Sequence, residues 1–261
     1  MKRVLAFAWL VLIAGCASNA PSDNVPVPDT DTIVGQPSSP ENRAKIHTSL
    51  AAAYYQIGNM AVALQDARTA IAADPTYAPA HSMLGLIYMA LHEDQLAEES
   101  FKRALSYSPG DPDINQNYGW FLCQTGREAQ SIPYFRRAVR DPLYRTPAKT
   151  YASAGVCEMR RGNLKEAGLD FQRALTLQPN QPEALLELGE LRYKQGDYLE
   201  ARKLVRRFNE VIGPTASSLW LALRVERKLG QSVAVSSYAD QLERSFPSSP
   251  EYQKLRRGDY E

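Results

Sequence analysis

Apolar positions recur along this chain at helical spacing, and the whole pattern returns about every 34 residues, which predicts a series of paired amphipathic helices. Six copies run between Ala44 and Ser249. In the second, Leu84, Gly85 and Tyr88 on one helix are followed by Ala97, Phe101 and Ala104 on the next. A Gly marks the turn of most copies, at Gly58, Gly126, Gly162, Gly196 and Gly230, and only the second copy has His92 there instead. In phase with it runs a ladder of small side chains, Ala63, Ala97, Ser131, Ala167, Ala201 and Val235. Pro75, Pro109, Pro179 and Pro247 close several copies. Placing those prolines at repeat position 32 starts the copies at Ala44, Ala78, Pro112, Ala148, Pro182 and Ala216.

A 34-residue helix–turn–helix period resembles the tetratricopeptide (TPR) repeat. The fold expected is an all-α TPR solenoid, a right-handed superhelix of about six repeats occupying residues 42–261. One copy cannot bury its own apolar face, so stacked copies share a continuous core. Small residues at positions 8 and 20 let helices approach, beside aromatics such as Phe101, Phe135 and Phe171 at position 24. Copies five and six are looser, with Val205 and Ala239 at that place and Leu223 where a small residue is expected. Such stacks present an extended concave face suited to gripping other chains.

In that fold the first helix of each copy lines the inner face. Positions 5, 9 and 12 then supply Tyr55, Leu86, Met89, Trp120, Met159, Leu186, Tyr193 and Trp220, with Gln116, Glu190, Arg224 and Arg227 as polar neighbours. An apolar, aromatic and Met-bearing groove suits an amphipathic helix or extended peptide; equally, some of these side chains pack between adjacent helices. The Lys/Asn set that clamps a terminal carboxylate is missing, since Thr48, Ala52, Gln116 and Trp120 stand in its places.

The N-terminus follows other rules. Lys2 and Arg3 precede the apolar run 4–13, and small residues lead to Cys16, the layout of a secretory signal too short to span a membrane as a mature helix. Leu12-Ile13-Ala14-Gly15-Cys16 resembles a bacterial lipobox, which implies removal of residues 1–15 and lipidation of Cys16; a plain signal peptide or a short buried helix is the other reading. A multiply acylated Cys16 satisfies the need for more than one chain in stable anchoring. Ala17 in place of Asp after the Cys points to the outer membrane. Residues 16–41 are rich in Pro, Ser and Asp and are expected to form a disordered tether.

Charge adds little: 30 basic against 29 acidic residues, with no dense basic face interleaved with aromatics, argue against nucleic-acid binding. The cluster Arg202, Lys203, Arg206 and Arg207 reads as a solvated helix face, and Glu98-Glu99 as exposed helix residues. Beyond Cys16 stand Cys123 and Cys157, on neighbouring first helices. In an oxidising compartment a Cys123–Cys157 disulfide is expected, against two separate buried thiols. His47 and His81 fall where TPR repeats pack an aromatic, and His81 and His92 lack a metal-ligand spacing. No nucleophile-elbow, P-loop or zincin motif occurs. The chain is therefore read as a non-enzyme without metal or small-molecule substrate, whose one covalent group is lipid (palmitate) on Cys16.

The centre of the chain departs from a generic repeat. Asn117-Tyr-Gly-Trp-Phe-Leu-Cys123 precedes Tyr134-Phe-Arg-Arg-Ala138, the Pro-bounded Asp141–Pro147 loop and Ala154-Gly-Val-Cys157, and the third copy is 36 residues long. With the lipobox, these segments closely resemble the PilF/PilW lipoproteins of type IV pilus biogenesis. The resemblance implies an outer-membrane, periplasm-facing pilotin. It would bind the PilQ-type secretin, promote its localisation and multimerisation, and support pilus stability. A TPR lipoprotein scaffold for outer-membrane protein assembly, or an adaptor for a peptidoglycan hydrolase, is the alternative.

Overall fold

A computed structural model describes residues 39–260. The signal peptide, Cys16 and the tether as far as residue 38 lie outside the described residues. Six antiparallel pairs follow one another: α1 (Pro40–Gln56) with α2 (Met60–Ala73), α3 (Ala78–Ala90) with α4 (Asp94–Tyr107), and α5 (Pro112–Gln124) with α6 (Glu128–Ala138). Then come α7 (Pro147–Arg160) with α8 (Leu164–Leu177), α9 (Pro182–Lys194) with α10 (Tyr198–Val211), and α11 (Ala216–Lys228) with α12 (Ser232–Ser245). A last helix, α13 (Pro250–Arg257), follows without a paired second helix among the described residues. The described residues hold helices and no strands; each odd-numbered helix packs on the next odd-numbered one, as in a TPR solenoid.

Local signals start these helices. Pro stands in the first turn of α1, α5, α7, α9 and α13, where its missing N–H costs nothing and its fixed φ suits the helix. Two boundaries differ from the sequence reading. Pro40 and Glu41, assigned to the tether, form the first turn of α1, because Ser39 Oγ accepts from the backbone N–H of Asn42. The segment after residue 249 repeats the same Ser-Pro-Glu start: Ser249 accepts from Tyr252 N–H, and α13 packs on α11 as the first helix of a seventh, half-built copy. The turn at His92 has φ +60°, beside 73° to 81° at its five Gly counterparts, so an L side chain is held in the left-handed region.

Within each pair, positions 8 and 24 meet, sixteen residues apart. A Cβ added to Gly85, Gly119 or Gly155 would stand 2.8, 3.0 or 2.6 Å from the ring of Phe101, Phe135 or Phe171, so Gly is what admits each buried Phe. Copy six reverses the sizes, Leu223 being wholly buried and opposed by Ala239. Its apparent exception is a volume-conserving exchange. In copy five Gly189 faces Leu221 from the next copy and Leu204, which fill the space left by Val205.

Candidate functional site

The inner register is fixed by the cleft between α9, α11 and α13, of about 650 Å³, lined by Leu186, Glu187, Glu190, Tyr193, Trp220 and Arg224 among others. Repeat positions 5, 9 and 12 therefore face inward, and positions 2 and 6 do so as well through Ser217, Glu251 and Glu187. Tyr55, Leu86, Met89, Trp120, Met159, Leu186 and Tyr193 are half-buried, each resting one side on a core cluster. Trp220 departs from the expectation of an open groove residue. It is only 5% exposed and stacks with Tyr260 at 5.7 Å between ring centroids, because the chain after α13 folds back over it. The Arg227 guanidinium also lies over that tyrosine, 3.8 Å from its ring centroid.

Cys123 and Cys157 are disulfide-bonded, with S–S 2.02 Å and Cα atoms 5.8 Å apart, joining α5 to α7. The two-residue lengthening of copy three puts them at positions 12 and 10. Arg160 donates to the carbonyl of Cys123 at 3.3 Å and to Gln124 Oε1 at 3.4 Å, with its guanidinium 6.0 Å from the Trp120 ring. The stretched loop is itself anchored: Tyr144 is buried and its hydroxyl meets Thr150 Oγ1 at 2.9 Å, while Leu143 is 86% exposed.

Charge on this face is unevenly matched. Arg224 donates to both Glu190 carboxylate oxygens, at 3.1 and 2.6 Å, across one full period, and lies over Tyr193. Glu183 and Glu187, one turn apart on the same stripe of α9, make no hydrogen bond or ion pair among the described residues. Loss of water around both raises their pKa, and Glu187 and Glu190 add like-charge repulsion; Lys149, Arg160 and Lys194 offset this only in part. At Asp113 on α5 the same desolvation acts, followed by the charge of Asp111. These carboxylates were not singled out from sequence, where Glu183 and Glu187 look like any solvated helix face. Their i, i+4 spacing in register with Leu186 and Glu190 was the signal available.

Other charged residues also differ from their sequence reading. Glu98 is half-buried, accepting from Arg127 at 2.9 Å, from Lys102 and from the Tyr118 hydroxyl; the Lys102 hydrogen bond leads in lowering its pKa. Burial, then Glu98, pushes Tyr118 up to about 12. Arg202 leaves its solvated cluster to pair with Glu226. His47, half-buried, meets Asp66 Oδ1 at 2.9 Å, and buried His81 meets the carbonyl of Pro75 at 2.9 Å. A second cleft, of about 770 Å³, opens between α2, α3 and α4 and includes none of the expected groove residues.

Known proteins agree with this architecture. Tetratricopeptide repeat models match residues 82–145 and 183–210, and a TPR repeat model matches 158–196. The type IV pilus assembly protein PilF of Pseudomonas aeruginosa is 28% identical over 256 residues, covering 98% of either chain. Among solved structures, PilW, described as a widely conserved type IV pilus biogenesis factor, superposes with TM-score 0.75 at 32% identity, over 82% of this chain and 98% of its own. The structure of Pseudomonas aeruginosa PilF gives 0.76 at 29% identity, over 84% and 99%.

Proposed function

The chain belongs to the PilF/PilW family of type IV pilus biogenesis TPR proteins, and from that premise we propose that it is a pilotin-like adaptor of the outer membrane. Its lipidated Cys16 supplies the address and its concave face grips the type IV pilus secretin, promoting localisation and multimerisation of that PilQ-type partner. The observation that carries this reading is full-length likeness to pilus assembly proteins in a chain whose inner face keeps a row of half-buried apolar side chains open to a guest. Binding, not catalysis, is the work assigned to it: stacked helix pairs hold an extended surface in place, which is what recognition of another polypeptide needs.

The experiment is deletion of the gene followed by analysis of secretin multimers in the outer membrane and of piliation. Loss of multimers is expected; normal multimers and normal pili would defeat the proposal. Address and grip separate on mutation. Cys16→Ala should release the protein from the membrane while leaving purified protein able to bind secretin. Leu86→Asp or Trp120→Asp should leave the anchor intact and abolish binding.

A further inference from the structure

Copies two to six each bury a stripe of their first helix against the copy before. At repeat position 10 stand Ile87, Phe121, Cys157, Leu191 and Val225, all wholly buried. Positions 3 and 7 follow the same rule in those copies, with only Leu84 half-buried. The first copy breaks it. On α1 the same register holds Ile46, Leu50 and Ala53, and Ile57 continues it at the helix end. Ile46 is 54% exposed, Leu50 41% and Ile57 75%, and Ala53 is exposed as well, so no described helix covers this stripe. A repeat array is ordinarily finished by a polar outer face, because an open stacking surface is apolar. The other end of this array is finished so: no residue of α13 is buried, and Lys254, Arg256 and Arg257 stand in its last turn.

The stripe has the form of a helix–helix seam. Its spacings of four, three and four residues are those of the a and d positions of a heptad, the narrow pattern two helices share. The order is also a palindrome. A two-fold axis between Ala51 and Ala52 sets Ile46 against Ile57 of a second copy, and Leu50 against Ala53 of that copy. The small Ala opposite Leu lets the helices interdigitate at mid-seam. Asn42, Ser49 and Gln56, exposed beside the seam, bear no charge, and the two copies of Arg43 stand about 25 Å apart along it.

We propose that α1 pairs with α1 of a second copy in an antiparallel, two-fold contact, so that the first copies of two chains complete each other's stack. Head-to-tail growth would instead bury the α13 cations against Ile46 and Leu50. The closed two-fold contact stops at two chains. Four side chains from each copy make a contact below about 1,200 Å² in total, which marks a reversible dimer rather than an obligate one. This goes beyond the adaptor reading: each dimer presents two inner faces, since Tyr55 at position 12 lies outside the seam.

The test is analytical ultracentrifugation of the full-length protein in detergent, over a series from about 1 to 100 μM. The wild type should pass from monomer to dimer across that range. Leu50→Glu and Ile57→Glu should each weaken the dimer about tenfold or more, because a carboxylate then enters the apolar seam. Their melting temperatures should match the wild type at low concentration, since both sites lie on the surface of one copy. Leu199→Glu, 61% exposed on α10, is the control and should dimerise as the wild type. Ala53→Cys should be joined to its copy by a short bis-maleimide, and Val233→Cys, 84% exposed on α12, should not. A wild type monomeric throughout, a dimer indifferent to both α1 variants, or one that R256E/R257E dissolves instead overturns the proposal. So does binding of the type IV pilus secretin, or of a peptide of residues 17–38, that disperses the dimer and is lost in Leu50→Glu; the face then belongs to that occupant.

Discussion

Copies two to four and copies five and six solve one packing problem in two ways. In the first group Gly85, Gly119 and Gly155 each admit a buried Phe, giving three near-identical contacts. In the second the volume is redistributed, with Leu221 reaching Gly189 from the next copy and Leu223 opposing Ala239. The staples between neighbouring copies differ in the same direction. Cys123–Cys157 and the bidentate Arg136–Asp170 pair, with Asp170 wholly buried, lock copies three and four; between five and six the ion pairs Arg224–Glu190 and Arg202–Glu226 have no covalent bond beside them. The centre is thus built to hold its spacing, and the C-terminal part to hold charge beside the groove.

The contrast breaks most sharply at the disulfide. Closing a loop of 34 residues contributes about 3–4 kcal/mol by chain entropy, so Cys123→Ser with Cys157→Ser should lower the denaturant midpoint by that equivalent, and reductant should do the same. Next comes Gly→Ala at the helix crossing. Gly155→Ala drives a Cβ to 2.6 Å from the Phe171 ring and should cost about 2–3 kcal/mol, whereas Gly189→Ala meets the terminal methyl of Leu221 at the longer distance of 3.2 Å and should cost under about 1 kcal/mol. Equal losses in chemical unfolding would erase the distinction between the two groups.

Much of the fold was legible because the period is written in residues whose job is local: turn glycines, closing prolines, small residues at the crossings. What escaped depends on neighbours distant in sequence. The fate of Trp220 is decided by Tyr260, forty residues on, and nothing in the helix carrying Trp220 announces it. Glu183 and Glu187 escaped because helical spacing reveals which residues share a face but not which of them will find a counterion. Likewise α13 was hidden by the brevity of its apolar pattern, although Ser249-Pro250-Glu251 repeats the start of α1.

Smaller effects sharpen the picture. His92→Gly relieves a left-handed backbone and should raise stability by about 0.5–1 kcal/mol, the only turn where this exchange helps, measurable as a higher melting temperature. Smallest is the groove. With pKa raised in the folded state, Glu183 and Glu187 hold protons more tightly folded than unfolded, so their contribution to stability falls as pH rises through the raised range. E183Q and E187Q should each gain about 0.2–0.5 kcal/mol at pH 7 and nothing at pH 4, read from paired unfolding curves.

Tyr260 stacked on Trp220 withdraws the aromatic that the sixth copy would lend to a guest. The half-buried apolar footing of the inner face therefore runs from Tyr55 to Tyr193, four steps of about 9 Å from α1 to α9. That is about 36 Å, the reach of about 11 residues of extended chain.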